Sequence, residues 1–356
     1  MPSEFEMKKF FIIAIAALCL CGCAKTKTSS DMESAKRYLD AWVHVQKQKH
    51  PEYLWKQTGL GAWILEETEG KGQAVGEFTD SMYLRLGYSI SQLDGTIAST
   101  TYKSVSQQLG SYDETYYYGP VTMYANGMYA GVEEAIKGMK PGGRKKVLIP
   151  SWLITYNRFD DADGYLGQSA DDIGSTSIYD LELVECFEYI QQWSADSLGR
   201  YLVANFPSKY GTNPVKAVAD SAGAFGFYYI STKAPEVEME LKDTTVYINY
   251  TGRLLNGQVF DTTIRDTAIR YGLNRDKTYE PVSISYGSSW SSISMSGESS
   301  SVIPGFARTL TKMGPYEKGT GVFISSLGYS YSGSGNKIPA YAPLRFDIEL
   351  VDNPND

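Results

Sequence analysis

The chain has 356 residues, with 33 Lys and Arg against 41 Asp and Glu, which gives a net charge of −8. No basic stripe stands out, and this argues against a nucleic-acid-binding surface. Hydrophobic residues make up 42% of the chain, which is enough for the cores of two ordinary domains. The 28 Tyr, against 13 Phe and 6 Trp, favour β structure because Tyr is enriched in strands.

The N-terminus has the pattern of an export signal. Residues 8–20 combine two lysines with an apolar run that is too short to span a membrane as a mature helix. Positions 20–23 read Leu-Cys-Gly-Cys, which resembles a bacterial lipobox. We therefore expect residues 1–22 to be a lipoprotein signal peptide, Cys23 to be acylated, and residues 23–33 to form a tether. An ordinary signal peptide with incidental cysteines is the alternative.

Acyl chains on Cys23 would hold the protein at a membrane. Ala24, rather than an aspartate, follows that cysteine, and this resembles outer-membrane sorting in some bacteria. We therefore expect a bacterial cell-envelope location, with the lipid in the outer membrane and the protein facing the periplasm.

The chain repeats itself once. Residues 35–49 predict a helix, because Leu39, Trp42 and Val43 lie at helical spacing. This helix and the segments after it recur in the second half. The matching pairs are 35–49 and 194–205, 62–65 and 227–230, 83–88 and 246–250, 93–95 and 255–257, and 115–121 and 278–282.

Each half also has one short amphipathic helix, predicted over 131–139 and 305–313, and closes with an alternating strand. The pattern predicts two α+β domains of the same fold, over residues 34–190 and 191–356. We expect each domain to be an antiparallel twisted sheet wrapped on one short helix, with an extra N-terminal helix per repeat.

Several motifs of the second half occur in a fixed order. They are Tyr-Thr-Gly at 250–252, Phe-Asp at 260–261, Val-Ile-Pro-Gly-Phe at 302–306, Leu-Gly-Tyr-Ser-Tyr at 327–331, Ile-Pro at 338–339 and the strand at 346–350. In this order they resemble the FK506-binding-protein (FKBP) family, one class of peptidyl-prolyl cis-trans isomerases. The first half shares the fold pattern but few of these motifs.

The resemblance implies a substrate bowl, with the residues that line it as the catalytic set: Tyr250, Phe260, Asp261, Val302, Ile303, Phe306, Tyr331, Ile338 and Phe346. It implies that a proline ring sits on Phe306 and that the Tyr331 hydroxyl and the backbone near Ile303 hold substrate carbonyls. Asp261 would either orient Tyr250 or polarise the twisted amide. Without the family, most of these residues are simply core positions, but a carboxylate in an apolar cluster needs a partner.

The chain departs from the family pattern in several places. Phe306 stands where many members have Trp, and the Ser-rich insertion 288–300 predicts a flexible flap. That flap could cover the bowl, extend a peptide site or be inert surface. A second insertion, 264–279, predicts a short helix.

The first half lacks the bowl chemistry. Ala98 and Ser99 stand where the second half has Phe and Asp, and Val132 replaces the aromatic floor. We expect this degenerate half to be a spacer, a dimer surface or a substrate-holding module.

The resemblance implies an isomerase that assists the folding of exported proteins. Its partners would be proline-containing unfolded or exported polypeptides, together with the membrane through the lipid at Cys23. No cofactor is expected. His44 and His50 are the two histidines and do not share a helix face, so a histidine metal pair is not expected. The alternative function is a non-catalytic peptide- or protein-binding lipoprotein that uses the same folds.

Overall fold

The computed structural model describes residues 29–237, 241–273, 278–287, 289–296 and 302–354. The expected signal peptide and the acylated Cys23 lie outside these ranges, as does part of the 288–300 insertion. Within the described ranges, no helix is both long and apolar enough to cross a membrane.

The α-helices and 3-10 turns of the described ranges differ widely in length. The α-helices are α1 (Ser29–Lys49), α2 (Lys103–Gln108), α3 (Ala130–Ile136), α4 (Ala162–Leu166), α5 (Ile190–Asn205), α6 (Pro207–Tyr210), α7 (Pro214–Ala219), α8 (Arg265–Arg270) and α9 (Pro304–Leu310). Single 3-10 turns lie at 125–127, 151–153, 170–172, 290–292 and 325–327.

Within the described ranges, the strands form two seven-stranded sheets. The strands are β1 (Lys56–Gln57), β2 (Trp63–Thr68), β3 (Met82–Ser91), β4 (Ile97–Thr100), β5 (Val121–Tyr124), β6 (Arg144–Ile149), β7 (Ser177–Glu188), β8 (Phe227–Lys233), β9 (Thr245–Leu254), β10 (Val259–Thr262), β11 (Val282–Ser285), β12 (Ser294–Met295), β13 (Lys318–Phe323) and β14 (Leu344–Val351). The first sheet has the order β1-β2-β6-β7-β3-β4, with β5 also on β3. The second has the order β12-β11-β9-β14-β13-β8, with β10 also on β9.

The chain divides into two compact units that do not follow the repeat. The first unit comprises residues 1–66, 129–135 and 147–177, and the second comprises 67–128, 136–146 and 178–356. The domain boundaries expected from the repeat remain a prediction.

In the first unit, α1 buries Leu39 and Val43, two of the residues that predicted it. Glu134 of α3 ties down the turn between β1 and β2. Its carboxylate accepts hydrogen bonds from the Thr58 hydroxyl at 2.7 Å and from the Leu60 backbone N–H at 2.7 Å.

The second unit contains all of the second sheet. Strand β14 alternates strictly between buried and half-exposed residues, as expected of a strand with one face on the core. It pairs antiparallel with β9, with Tyr250 opposite Ile348. In the first sheet β3 pairs in the same way with β7, with Tyr88 opposite Leu181.

The α+β class with two antiparallel sheets is confirmed. Two details differ from the sequence prediction. Helix α5 begins at Ile190, before the predicted Ser194, and residues 208–213, which the sequence predicts to be a loop, begin inside helix α6. Pro207 explains the second difference, because proline at the first helical position fixes a helical φ and its missing N–H leaves no bond unmade.

Candidate functional site

A cluster of aromatic side chains lies between β9, β10, β14 and α9. Tyr250, Phe260, Phe306 and Phe346, which we call the aromatic cluster, are 3–6% exposed. Phe346 is central: its ring centroid lies 5.1 Å from that of Phe306, edge to face, and 5.5 Å from that of Phe260. Such edge-to-face pairs add roughly 0.5–1.5 kcal/mol each beyond area burial.

A β-bulge brings two consecutive residues of β10 to the site. The pairing with β9 shifts between Val259 and Asp261, which makes Phe260 the extra residue. Position 252, opposite the bulge, requires a glycine because two aromatic rings approach its backbone closely. A Cβ there would lie 2.5 Å from the Phe260 ring and 2.9 Å from the Phe346 ring.

Threonine hydroxyls lock the backbone of β9 to the end of β10. The Thr262 hydroxyl donates to the Tyr250 carbonyl at 2.8 Å, and the Tyr250 N–H donates to the Thr263 hydroxyl at 2.9 Å. Thr262 and Thr263 are both buried, so these bonds are protected from water. They fix the direction in which Tyr250 and its neighbours point.

Asp261 has the partner that its apolar setting requires. The Tyr250 hydroxyl donates to its carboxylate at 2.5 Å, and the Thr262 N–H donates to the other oxygen at 3.0 Å. Hydrogen bonds to an ionised carboxylate are shorter and stronger than neutral ones. The pair therefore places a hydrogen-bonded carboxylate beside the aromatic cluster.

Helix α9 carries Phe306, the residue on which the sequence prediction places a proline ring. Pro304 occupies its first turn, and the Thr309 hydroxyl bonds back to the Gly305 carbonyl at 2.8 Å. Val302 and Ile303 lead into the helix and pack, partly exposed, against the core that holds the aromatic cluster. Ile338 joins the same core and is 4% exposed.

Residues 238–351 match the family model described as FKBP-type peptidyl-prolyl cis-trans isomerase. FK506-binding protein 2 of Candida glabrata is 32% identical over 129 residues, which are 35% of this chain and 78% of that protein. The chain belongs to this family.

Other FKBP relatives are matched over less of their length. Peptidyl-prolyl cis-trans isomerase FKBP11 of Bos taurus is 32% identical over 107 residues, which are 30% of this chain and 41% of that protein. The crystal structure of FkpA from Escherichia coli is similar at 25% identity with a TM-score of 0.30, covering 46% of this chain and 62% of that one.

The two tyrosines of the FKBP loop after β13 lie in different surroundings. Tyr329 packs against the core that holds the aromatic cluster, and burial raises its pKa, with a further contribution from the negative charge of Asp261. Tyr331 is 71% exposed. Between them Ser330 has φ +50°, a left-handed turn that sends its neighbours in different directions. The sequence prediction placed only Tyr331 in the site and missed Tyr329.

The described part of the FKBP insertion at 288–300 is packed. Ile293 is 1% exposed and belongs to the core cluster, with Met295 against it. The Arg308 guanidinium of α9 lies 4.3 Å from the centroid of the Trp290 ring. Residues 289–296 are thus fastened beside α9, while residue 288 and residues 297–300 lie outside the described ranges.

The first half repeats part of the strand geometry of the second half without the side chains of the aromatic cluster. Its β3–β4 pairing shifts between Ile90 and Ser91, so that Ala98 is the extra residue, as Phe260 is in the second half. The Tyr88 N–H donates to the Thr101 hydroxyl at 2.8 Å, as the Tyr250 N–H donates to that of Thr263. Within the described ranges, no group of three or more His, Cys, Asp or Glu is placed to hold a metal ion.

Proposed function

We propose that the second half is a peptidyl-prolyl cis-trans isomerase that assists the folding of exported proteins in the bacterial envelope. The observation that carries the proposal is the Tyr250–Asp261 hydrogen bond of 2.5 Å beside the aromatic cluster. Membership of the FKBP-type family supports the activity. The envelope location and the lipid at Cys23 are proposed from the N-terminal sequence pattern alone.

The reaction requires no proton transfer. Rotation about an X-Pro bond has a barrier of about 18–20 kcal/mol, whereas its isomers differ by only about 0.5–1 kcal/mol. A catalyst therefore needs to bind the twisted amide more tightly than either planar form. Twisting removes resonance and lowers the charge on the carbonyl, so an apolar surface such as the aromatic cluster favours the twisted form.

The geometry favours one of the two roles considered for Asp261. Because its carboxylate accepts a hydrogen bond from the Tyr250 hydroxyl, Asp261 orients the tyrosine ring against Phe306, whose ring centroid lies 5.5 Å away, edge to face. The backbone at Ile303 and the partly exposed Val302 form the rim that a substrate meets first. Phe306 is only 3% exposed, so a proline ring reaches it when that rim moves aside.

Proline-limited refolding of a protein substrate tests the proposal, using the chain from Lys25 onward. We expect acceleration at micromolar enzyme. Asp261→Asn and Phe260→Ala should each lower it by about tenfold or more, a loss of at least about 1.4 kcal/mol of transition-state stabilisation. Asp266→Asn is the matched control, because Asp266 is exposed on α8 and outside the cluster. If the unchanged protein does not accelerate refolding, the proposal that it is an isomerase is refuted.

The low exposure of the aromatic cluster favours a second candidate, a binding lipoprotein that holds peptides without turnover. The 71% exposure of Tyr331 favours the same candidate, because little of this side chain is buried with the aromatic cluster. Peptide binding at the rim without acceleration of refolding would establish this second function.

A further inference from the structure

A cavity of about 490 Å³ opens in the first half, at the place that corresponds to the bowl. Tyr88, Ala98 and Ser99 line it, and they correspond to Tyr250, Phe260 and Asp261 of the second half. Small side chains at the β4 bulge leave open the space that a phenyl ring fills in the other sheet. Its volume lies in the range of about 300–1,000 Å³ that is usual for ligand sites.

The lining selects a neutral ligand. Among the described residues that form the walls, none carries a charge, and tyrosine rings and small hydroxyl side chains predominate. Tyr116 is 37% exposed and Leu109 is 49% exposed, so apolar surface is open at this cavity. Tyrosine side chains offer flat aromatic rings and hydroxyl groups. Such a surface suits an extended proline-containing chain, whose proline rings pack on aromatic-lined grooves.

Strand β4 adds a reason to favour a polypeptide. It is the last strand in the order of the first sheet, and its residues Ile97–Thr100 all line the cavity. An edge strand presents a row of backbone donors and acceptors to a chain that lies beside it. A sugar or a lipid would make no systematic use of that row.

The opposite wall comes from the second half and is held in place. Gly335, Asn336 and Pro339 line the cavity from the loop between β13 and β14. The Tyr117 N–H donates to the Asn336 carbonyl at 2.7 Å, and that loop closes on itself through the bond from the Ser334 N–H to the Ile338 carbonyl at 2.8 Å. A wall fixed before binding loses little freedom when a ligand arrives.

Two further hydrogen bonds hold the neighbouring segment, residues 115–120, in place. The Gln258 side-chain amide donates to the Thr115 carbonyl at 3.1 Å, and the Tyr117 hydroxyl donates to the Pro120 carbonyl at 3.0 Å. Both bonds fasten the 115–120 segment that carries the tyrosine rings of the cavity.

We propose that this cavity is a second binding site, which takes an extended, neutral, proline-containing polypeptide and is separate from the bowl. The inference goes beyond the isomerase and does not require turnover. Ile338 belongs to the core of the bowl and the next residue, Pro339, lines the cavity. Two adjacent residues of one loop therefore belong to the two sites.

Methyl NMR of the full chain separates the two sites. A neutral, end-blocked, proline-rich decapeptide is titrated into protein labelled at Ile, Leu and Val methyls. Leu109 and Val121 report on the cavity, and Ile303 reports on the bowl. We expect the Leu109 and Val121 signals to shift in a saturable manner with their own Kd.

The decisive variant is Ala98→Phe, which puts into the cavity the ring that the second half has at the corresponding bulge. Ala98 is exposed on an edge strand, where phenylalanine is well tolerated. We expect the Kd read at Leu109 to rise by about tenfold or more, a loss of at least about 1.4 kcal/mol. Thr96→Phe is the control, because it adds the same ring two residues earlier, outside the cavity lining, and should leave that Kd unchanged.

Two results would overturn the second site. One is the absence of any shift at Leu109 and Val121 at saturating peptide, and the other is an unchanged Kd in Ala98→Phe. Failure of the isomerase proposal is read separately, as absent acceleration of refolding whatever the cavity signals show.

Discussion

Tyr250 and Asp261 form the residue pair on which the proposed chemistry depends. Their hydrogen bond is 2.5 Å long, and Tyr250 is 6% exposed. Water therefore competes poorly for the Tyr250 hydroxyl. A hydrogen bond to a charged group contributes about 1.5–3 kcal/mol, and losing one partner leaves the other poorly solvated. The pair should be coupled energetically as well as geometrically.

We expect a double-mutant cycle of Tyr250→Phe and Asp261→Asn to give an interaction free energy of about 1–2 kcal/mol in urea unfolding. The chain offers a matched control in the exposed pair of Tyr316 and Asp352, joined by a 2.6 Å hydrogen bond. Tyr316→Phe with Asp352→Asn should show coupling within experimental error, because water replaces that bond. Equal coupling in the two cycles would contradict the special role of the Tyr250–Asp261 pair.

Sequence motifs predicted much of the site at this scale, and the loop residues show why they did not predict all of it. Short-range signals such as Tyr-Thr-Gly and Phe-Asp identify residues that the structure brings together around Phe346. The exposure of Tyr331 follows from the positive φ of Ser330, which a Tyr-Ser-Tyr sequence does not reveal. Tyr117 packs on the core of the other half, and no local pattern marks a contact so distant in sequence.

At the scale of the element, the bulges of β4 and β10 show how one strand geometry serves two purposes. Each inserts one residue opposite the long central strand of its sheet. In β10 that residue is Phe260, which the absence of a side chain at Gly252 allows to close on Phe346. In β4 it is Ala98, and the space stays open.

Gly252→Ala should destabilise the protein and disturb the aromatic cluster together. The added methyl group would overlap the rings of Phe260 and Phe346, and overpacking of a tight core costs about 1–3 kcal/mol. Urea unfolding and near-UV circular dichroism of the aromatic bands measure the two effects. Gly76→Ala is the control, because its Cβ meets nothing within 4 Å, and it should leave both signals unchanged. Unaltered stability of Gly252→Ala would show that the rings have room to move.

Helices and strands were predicted best where the segment is long enough to show several repeats of its hydrophobic pattern. Strand β14 follows from alternation and helix α1 from helical spacing, and the 264–279 insertion does contain a short helix, α8. Short helices such as α6 and α7 lack enough residues for a period, and proline at their first position was the available signal. Partners of strands within a sheet depend on contacts that a single sequence does not display.

At the scale of the whole molecule, the tyrosine-rich composition places phenols in the interior. Tyr228 is fully buried, its hydroxyl donates to the Val218 carbonyl at 2.9 Å, and burial raises its pKa to about 12. Burial also raises the pKa of Tyr286, whose hydroxyl donates to the Leu310 carbonyl at 3.1 Å. An unfolded chain ionises its tyrosines near pH 10.

These raised pKa values predict a loss of stability at alkaline pH. The contribution of each buried phenol is complete below about pH 10 and is lost as the pH rises from there towards the folded-state pKa, because the unfolded state then binds fewer protons. Urea unfolding in steps from pH 9 to pH 11.5 measures the slope. Tyr228→Phe should make the slope shallower, and an unchanged slope would refute the linkage.

The loop that carries Ile338 and Pro339 joins the packing of the first half of the chain to that of the second. Tyr117 of the first half packs on the core of the second half and donates its N–H to the Asn336 carbonyl, so the first half covers part of that core. Cutting the chain near residue 190 would bare apolar surface that the intact protein covers. The two halves of the chain therefore depend on each other for part of their packing.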